Sequence, residues 1–318
     1  MERYNLQINE DHWFKSHNVL KFSHKAMATI FEIFMVHEDR IYAVQSAYAA
    51  FAELDRLEQE LSCYIENSDI SRINSLAKNE VTTVGLDAFV CLQECKILYD
   101  ETKGIFDITS GPLIDFWRHR DRLKDADIIS QRDIPVNCVG LDRLQLIDKH
   151  YQICLVDDCV KLDLGGYGKG YAVDKMAAVL KEWDVVRALI HGGQSTVLAL
   201  EGPVGENGWQ VTLSNPHNAY EIIDKIYLRN ISLSASGIQK GTHIINPKTG
   251  YPVQDKLSVW TKVTSAALSD ALSTSFFIMP IPDVEKYIEN HRGVSAKILT
   301  ASSSHNNKGE NILTFGQW

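Results

Sequence analysis

Residues 162–174 have the sequence LDLGGYGKGYAVD, which predicts the end of a strand, a glycine-rich turn and the start of a helix. Glycines let a ligand approach the backbone closely, and the unpaired N–H groups at a helix start attract anions. Lys169 adds a positive charge suited to phosphate. The segment matches neither common nucleotide-binding loop, so taken alone it is equally consistent with a tight turn and a solvated lysine.

Whole-chain properties narrow the classes of partner. The chain has 318 residues, enough for one large domain or two lobes, and a formal net charge of −9 at pH 7. This negative balance argues against nucleic acid and against an anionic membrane surface, because both select clustered cations. A small cationic pocket for a phosphorylated ligand is compatible with it.

The six cysteines form no C-x-x-C pair and have no histidine at metal-ligand spacing, which argues against zinc. Cys91 and Cys95 are four residues apart, on one face of a predicted helix, and are predicted to be unbridged core residues. We expect all the cysteines to be reduced, as in an intracellular protein.

The start of the chain is interpreted as a lead-in, residues 1–22, to a single domain over 23–318. The lead-in lacks the apolar stretch of a signal peptide, and no run in the chain is long enough to cross a bilayer. We therefore expect a cytoplasmic protein. No linker divides residues 23–318, so two interleaved lobes are favoured over two separate domains.

Apolar residues at helical spacing predict helices along much of the chain. These helices are predicted at 41–61, 86–102, from about 170, at 268–279 and at 282–291. Residues 104–117, GIFDITSGPLIDFW, are interpreted as a loop with buried aromatic side chains. A strand is predicted over 226–233, followed by a long polar loop over 234–253 of the kind that is usually functional.

Asp270 and Thr274 lie in the segment SDALSTS, four residues apart near a predicted helix start. That spacing places a carboxylate and a hydroxyl on one face. Both are oxygen ligands suited to Mg²⁺, which takes few protein ligands and completes its shell with phosphate oxygens and water. The alternative interpretation is that Asp270 caps the helix and Thr274 is buried.

Three further positions carry groups that suit a nucleotide-like ligand. His243 lies in the turn-rich segment THIINPKTG and is a candidate general base or a hydrogen-bond donor to phosphate. Alternatively it is a surface loop residue. Phe106 and Asp107 in GIFDIT place an aromatic ring beside a carboxylate, a pair that could hold a heterocycle. The alternative is that Phe106 packs in the core and Asp107 caps a turn. Asp163 could accept from a ribose hydroxyl or a ring N–H, or bind a metal.

Taken in order, the segments of residues 23–279 resemble the ApbE family of FAD:protein FMN transferases. The matching segments are SxxAMAT, SCYxxxSDISRIN, GIFDITSGPL, DLGGYGKGYAVD, HGGQS, SGxxxxTHIINPKTG and SDALSTS. The resemblance implies an α+β fold, with antiparallel sheets and flanking helices in two interleaved lobes and FAD in the cleft between them. It also implies Mg²⁺-dependent transfer of FMN from FAD to a Thr or Ser hydroxyl of an acceptor flavoprotein, with release of AMP.

The resemblance carries site residues with it. Asp270 and Thr274 match the side-chain ligands of the metal, and Gly166 matches a backbone carbonyl ligand. Asp270 and His243 are the expected catalytic residues, His243 as the group that deprotonates or orients the acceptor hydroxyl. The positions that match FAD contacts are Met27, Tyr64, Phe106, Asp107, Asp163, Lys169 and Ile244.

The sequence departs from the family pattern at three positions. Ala28 replaces a usual Gly, Gln194 replaces a common Asp after the paired glycines, and Asn246 replaces an Asp before Pro247. Two rival functions stay open on the sequence. One is an FAD pyrophosphatase that uses water as acceptor and yields FMN and AMP, and the other is an FAD-binding protein without turnover.

Overall fold

The computed structural model describes residues 4–7, 17–122, 134–241, 243–301 and 310–318. These residues form a mixed α+β structure with antiparallel sheets, so the predicted fold class is confirmed. The strands are β1 (Tyr4–Gln7), β2 (Val19–Ala26), β3 (Thr29–Val36), β4 (Val81–Thr83), β5 (Leu144–Ile147), β6 (Gln152–Leu155), β7 (Ala188–Gly192), β8 (Thr196–Ala199), β9 (Trp209–Asn215), β10 (Asn218–Leu228), β11 (Ile231–Gly237), β12 (Ser258–Val263), β13 (Ser295–Ala301) and β14 (Glu310–Phe315).

A nine-stranded sheet organises the structure, in the order β1-β2-β3-β7-β8-β11-β12-β13-β14. Every pair of neighbouring strands in this sheet is antiparallel. A hairpin of β9 and β10 and a three-stranded sheet in the order β4-β6-β5 complete the β-structure of the described residues. Two strands of the large sheet therefore begin within residues 1–22, the stretch interpreted as a lead-in.

The described residues form seven helices, five of which lie close to where apolar periodicity predicts them. They are α1 (Arg40–Leu61), α2 (Asp69–Asn74), α3 (Leu86–Glu101), α4 (Gly111–Arg122), α5 (Gly168–Glu182), α6 (Ala266–Ile278) and α7 (Ile281–Asn290). Helix α1 begins after Asp39, whose carboxylate accepts from the N–H groups of Ile41 and Tyr42.

Alternation along the strands separates the two faces of the large sheet. Phe31, Ile33 and Met35 of β3 are buried in one cluster with residues of α1 and α5. Phe34, between them, faces the opposite side and is clustered with Trp209 of the β9–β10 hairpin. Further along, β12 and β13 are covered by α6 and α7 in a separate apolar cluster. The helices that carry the candidate site thus pack on one face of the sheet.

Two interpretations of local structure are wrong. Residues 104–117 are not all loop, because α4 begins at Gly111. Leu113, Phe116 and Trp117 have helical spacing, and Pro112 is tolerated in a first turn. Residues 226–233 are not one strand, since Asn230, with φ of 52°, turns the chain between β10 and β11.

Strand β11 continues into the predicted polar loop 234–253. Its serines made the segment resemble a loop, but all three are hydrogen-bonded, and Ser232 and Ser234 are buried. Ser232 Oγ donates to the carbonyls of Val263 and Ser265, and Ser234 Oγ bonds Thr196 Oγ1 at 3.2 Å. Buried hydroxyls with partners are compatible with a sheet interior.

The prediction that every cysteine is reduced is also wrong, because Cys138 and Cys159 form a disulfide. Their Cα atoms are 5.3 Å apart, although 21 residues separate them in sequence, so no local spacing pattern reveals the pair. Cys91 and Cys95 are free and buried, as predicted. The cysteines therefore give no argument for an intracellular location. Among the described helices, none has the length and apolar character of a membrane span.

Candidate active site

The glycine turn before α5 is shaped by Asp163. Its Oδ1 accepts from the Gly165 N–H at 2.7 Å, and its own N–H donates to the Ile108 carbonyl at 2.8 Å. The Leu164 carbonyl accepts from the N–H groups of Tyr167 and Gly168, which closes the first turn of the helix. The glycine turn and helix start predicted within 162–174 match the backbone. The predicted strand end does not, because β6 ends at Leu155 and Lys161 makes only an isolated bridge with Ser110.

Helices α5 and α6 meet at Gly170. A Cβ at that position would lie 2.2 Å from the Ala266 carbonyl oxygen, so a side chain there would force the helices apart. The close approach lets the Gly170 N–H and the Lys169 ammonium each reach Asp270 Oδ2 at 3.3 Å. Lys169 also donates to the Gly165 carbonyl at 2.8 Å. The predicted phosphate-binding lysine and the predicted metal ligand are therefore in contact.

Asp270 does not cap α6, so that alternative interpretation is wrong. The N-cap is Ser265, whose hydroxyl accepts from the Leu268 N–H at 3.2 Å, and Asp270 is the fifth residue of the helix. Asp270 is nevertheless only 3% exposed. A buried carboxylate inside a helix, bonded to a lysine and a backbone N–H of another helix, favours a functional role.

Thr274 follows one turn after Asp270. Its Oγ1 lies 3.2 Å from Ser236 Oγ, which in turn lies 2.8 Å from Ser273 Oγ. A Cβ built on Gly166 would lie 3.4 Å from Thr274 Oγ1, which places the Gly166 backbone beside that hydroxyl. The three predicted metal ligands are thus brought to one place.

The donor set there fits a small hard cation. It combines the carboxylate of Asp270, the hydroxyl of Thr274 and the backbone of Gly166. Among the described residues no three His, Cys, Asp or Glu side chains cluster in a way that could hold a metal. A site with one carboxylate suits Mg²⁺ that completes its coordination with substrate phosphates.

The segment before α4 lies alongside this turn. Phe106 is buried, and one of its ring carbons would lie 3.7 Å from a Cβ on Gly166. Asp107 Oδ1 accepts from the N–H of Thr109 at 2.8 Å and from its hydroxyl at 2.5 Å. Burial nevertheless raises the pKa of Asp107 to about 6, because these bonds do not offset the loss of hydration.

Tyr64 stands near Asp163 and is 71% exposed. Its hydroxyl accepts from Arg118 of α4, whose guanidinium lies 5.7 Å from the ring centroid. Although the ring is exposed, partial loss of hydration at the phenol raises its pKa, and the negative charge of Asp163 adds to this effect. Arg118 was not singled out from the sequence, because its partner is 54 positions away.

Met27 occupies the tip of the β2–β3 hairpin. Both central residues have positive φ, 48° for Met27 and 57° for Ala28, as in a type I′ turn. The Met27 N–H donates to Glu58 Oε1 at 2.5 Å. A Cβ on Gly193 would lie 2.7 Å from Thr29 Oγ1, so the HGGQS turn adjoins the hairpin.

His243 is exposed, and its Nδ1 lies 3.0 Å from the Gly241 carbonyl oxygen. Since a carbonyl only accepts, Nδ1 is the donor and the neutral ring carries its lone pair on Nε2. The next residue, Ile244, is buried in the apolar cluster to which α6 contributes. The backbone that carries His243 is therefore anchored beside the helix of Asp270.

The remaining departures from the family pattern have simple local explanations. Asn246 Oδ1 accepts from the Lys248 N–H at 2.9 Å, a turn bond that an aspartate would make equally well. Gln194 is exposed on the turn between β7 and β8. The roles of the predicted site residues stay predictions.

Comparison with known proteins shows the family of the chain. The chain is 28% identical over 243 residues to the FAD:protein FMN transferase of Buchnera aphidicola subsp. Schizaphis graminum, and the match covers 71% of each. It is 28% identical over 267 residues to that of Escherichia coli K12, covering 78% of this chain and 74% of that protein. The flavin transferase ApbE structure from Vibrio cholerae has the same fold, with a TM-score of 0.82 at 18% identity, over 93% of this chain and 97% of that one. The model of the ApbE family matches residues 27–298, and the chain belongs to that family.

Proposed function

We propose that this chain is a Mg²⁺-dependent FAD:protein FMN transferase, which moves FMN from FAD to a Thr or Ser hydroxyl of an acceptor protein and releases AMP. The observation that carries the proposal is the meeting of the α5 start with Asp270 and Thr274 of α6. This meeting joins a lysine, helix N–H groups and hard oxygen donors in one place. The names of the relatives support the same activity.

The reaction exchanges one P–O bond for another. The acceptor oxygen bonds to the phosphorus on the FMN side of the pyrophosphate, and the bond from that phosphorus to the bridging oxygen breaks. The bridging oxygen leaves on AMP. Negative charge grows on the leaving group, so fixed positive groups lower the barrier. Lys169 supplies such charge from this chain.

Asp270, Thr274 and the Gly166 carbonyl are the groups that would hold Mg²⁺. When bound, Mg²⁺ would neutralise charge on the pyrophosphate. The ammonium of Lys169 contacts Asp270 Oδ2 and so balances the negative charge of the buried carboxylate. The single carboxylate leaves the other coordination positions to water and phosphate oxygens.

FAD would be held by residues of several segments around this centre. Phe106, Met27 and Ile244 offer apolar surface, and Tyr64 offers an exposed ring on which a heterocycle can stack. With a pKa of about 6, Asp107 carries a proton in a fraction of molecules near neutral pH and can then donate to a ring acceptor.

His243 would accept the proton of the attacking hydroxyl. Its Nδ1–H is held by the Gly241 carbonyl, which presents Nε2 as the basic nitrogen. Its exposure suits a residue that meets a protein acceptor arriving from solvent. The proton then passes to water after AMP departs.

The test separates the proposal from its two rivals. Purified protein is incubated with FAD, with and without Mg²⁺, and AMP and FMN are measured. Extracts of a cell that lacks the chain are then added, and flavin fluorescence that survives a denaturing gel is recorded. A transferase gives Mg²⁺-dependent covalent bands. A pyrophosphatase gives AMP and free FMN in equal amounts without any bands, and a binding protein gives neither product.

A further inference from the structure

Asp174 joins α5 to the start of α6 by three hydrogen bonds. Its carboxylate accepts from Ser265 Oγ at 2.8 Å, from the Ala266 N–H at 2.8 Å and from the Ala267 N–H at 2.9 Å. Ala266 and Ala267 are the first two residues of α6. The N–H groups of a first turn have no partner within their own helix, so Asp174 satisfies two of them from a neighbouring helix.

These bonds fix how α6 lies along α5. Asp174 is one turn beyond Gly170, and Asp270 is one turn beyond Ala266. The two helices therefore run antiparallel at this contact. The register that sets Asp174 on the α6 start also sets Asp270 on Lys169 and Gly170. Because Gly170 has no Cβ, the helices can approach closely here, and the three bonds of Asp174 tie the α6 start to α5 at that distance.

We propose that Asp174 is the positioning residue of the site, and the inference rests on the proposed transferase function. It holds the α6 start against α5, and so places the Asp270 carboxylate and the Thr274 hydroxyl for the divalent cation and the FAD pyrophosphate. Asp174 itself contacts neither ligand. Its carboxylate is used by the three donors at the α6 start, which explains why a half-buried acid follows the glycine turn by one helical turn.

The decisive variant is Asp174→Asn. An amide keeps the size of the carboxylate but turns an NH₂ group toward at least one donor of α6, so the helix start shifts or loses its cap. The measurement is FAD binding by flavin fluorescence at a series of Mg²⁺ concentrations, together with AMP release. We expect the Mg²⁺ concentration for half-maximal FAD binding to rise about tenfold or more, the range typical of residues that support a metal ligand.

Lys256→Met is the matched control, because Lys256 caps the other end of the same helix. Its ammonium is 1% exposed and donates to the carbonyls of Phe277 at 3.0 Å and Met279 at 2.6 Å. Phe277 is seven residues, or about 10 Å, beyond Asp270 along the helix. This variant should lower the melting temperature as Asp174→Asn does, but leave the Mg²⁺ requirement at the wild-type value.

Each outcome decides between the possibilities. The positioning role is overturned if Asp174→Asn keeps the wild-type Mg²⁺ requirement, or if Lys256→Met raises that requirement as much as Asp174→Asn does. In either case, AMP release by the wild-type protein leaves the proposed function standing. A wild-type protein that neither binds FAD nor releases AMP overturns the proposed function and the inference with it. If Asp174→Asn does not fold, Ser265→Ala takes its place with the same expectations, since it removes one of the three bonds together with the N-cap bond to the Leu268 N–H.

Discussion

At the scale of the residue, Asp270 is the position where a structural role and a chemical role are most clearly distinguished. It sits too deep in α6 to cap it, and its bonds to Lys169 and Gly170 cross to another helix. Asp270→Asn keeps the volume and one acceptor oxygen but removes the charge. We expect little change in melting temperature and a loss of Mg²⁺-dependent AMP release. The loss should exceed the roughly 10- to 100-fold typical of residues behind a metal ligand.

The control for that variant is Asp69→Asn, which also alters a buried, hydrogen-bonded aspartate. Asp69 accepts from the Gly85 N–H at 2.6 Å and pairs with Arg72, away from the α5–α6 contact. Its replacement should affect stability more than turnover. Normal turnover and normal Mg²⁺ dependence in Asp270→Asn would remove the metal site, and with it the transfer mechanism proposed above.

Ala28 is the departure from the family pattern that has a physical consequence. Its φ of 57° is in the left-handed region, where a Cβ is strained and glycine is not. Ala28→Gly relieves that strain but gives the unfolded chain more freedom, so we expect a net stabilisation of about 0.5–1 kcal/mol in urea unfolding. Ala26→Gly, in the adjoining strand where φ is not positive, should destabilise instead. A lower stability for Ala28→Gly would show that the turn is not strained.

At the scale of the element, periodicity predicted the long helices and failed where composition was misleading. Helices α1, α3, α6 and α7 begin and end within two residues of the prediction, because their apolar residues recur every three or four positions. Helix α4 was missed since Gly111 and Pro112 resemble loop residues, and β11 was shortened since three of its seven residues are serines. In both cases tertiary contacts, not local propensity, decide the structure.

The contact between α5 and α6 gives an element-scale prediction. Gly170→Ala places a methyl group 2.2 Å from the Ala266 carbonyl oxygen, so the helices must separate. We expect a destabilisation of about 1–3 kcal/mol, as for overpacked cores, and a larger relative loss of AMP release because Asp270 moves away from Lys169. The measurements are urea unfolding and steady-state turnover.

Gly168→Ala is the matched control two positions earlier in the same helix. Its Cβ would meet only the Leu164 Cβ, at 3.7 Å, which is ordinary contact. Alanine is the better helix former by about 1 kcal/mol, so this variant should be as stable as wild type or more so. If Gly170→Ala behaved like Gly168→Ala, the close approach of the helices would carry no function.

At the scale of the whole molecule, the site is assembled from segments that are far apart in sequence. The ordered motifs indicated which residues belong together, but not how they meet. Gly170 against Ala266, and Gly193 against Thr29, are contacts that need the complete sheet and its helices. Asp174 ends the glycine-rich segment 162–174, but the sequence alone predicts no role for its carboxylate, because its three partners lie more than 90 positions away.

The disulfide is the other long-range feature that the sequence did not reveal. It is linked to Asp107 of the candidate site through two hydrogen bonds. Two residues after Cys138, the Gly140 N–H donates to Thr109 Oγ1 at 2.8 Å, and Thr109 donates to Asp107. Cross-linking residues 21 apart constrains the unfolded chain, so Cys138→Ala/Cys159→Ala should lower the free energy of unfolding by about 3 kcal/mol.

A dithiol reductant provides the matched control for the double variant. It should lower the melting temperature of the wild type and leave that of the variant unchanged, since only the wild type has a bond to reduce. Alkylation followed by mass measurement should label four thiols before reduction and all six after it.

Because the bond restrains Gly140 and hence Thr109, reduced wild type should also bind FAD more weakly than oxidised wild type. Six reactive thiols in the untreated, unfolded protein would mean that the two cysteines are not joined. The stability of the 134–160 region would then rest on packing alone.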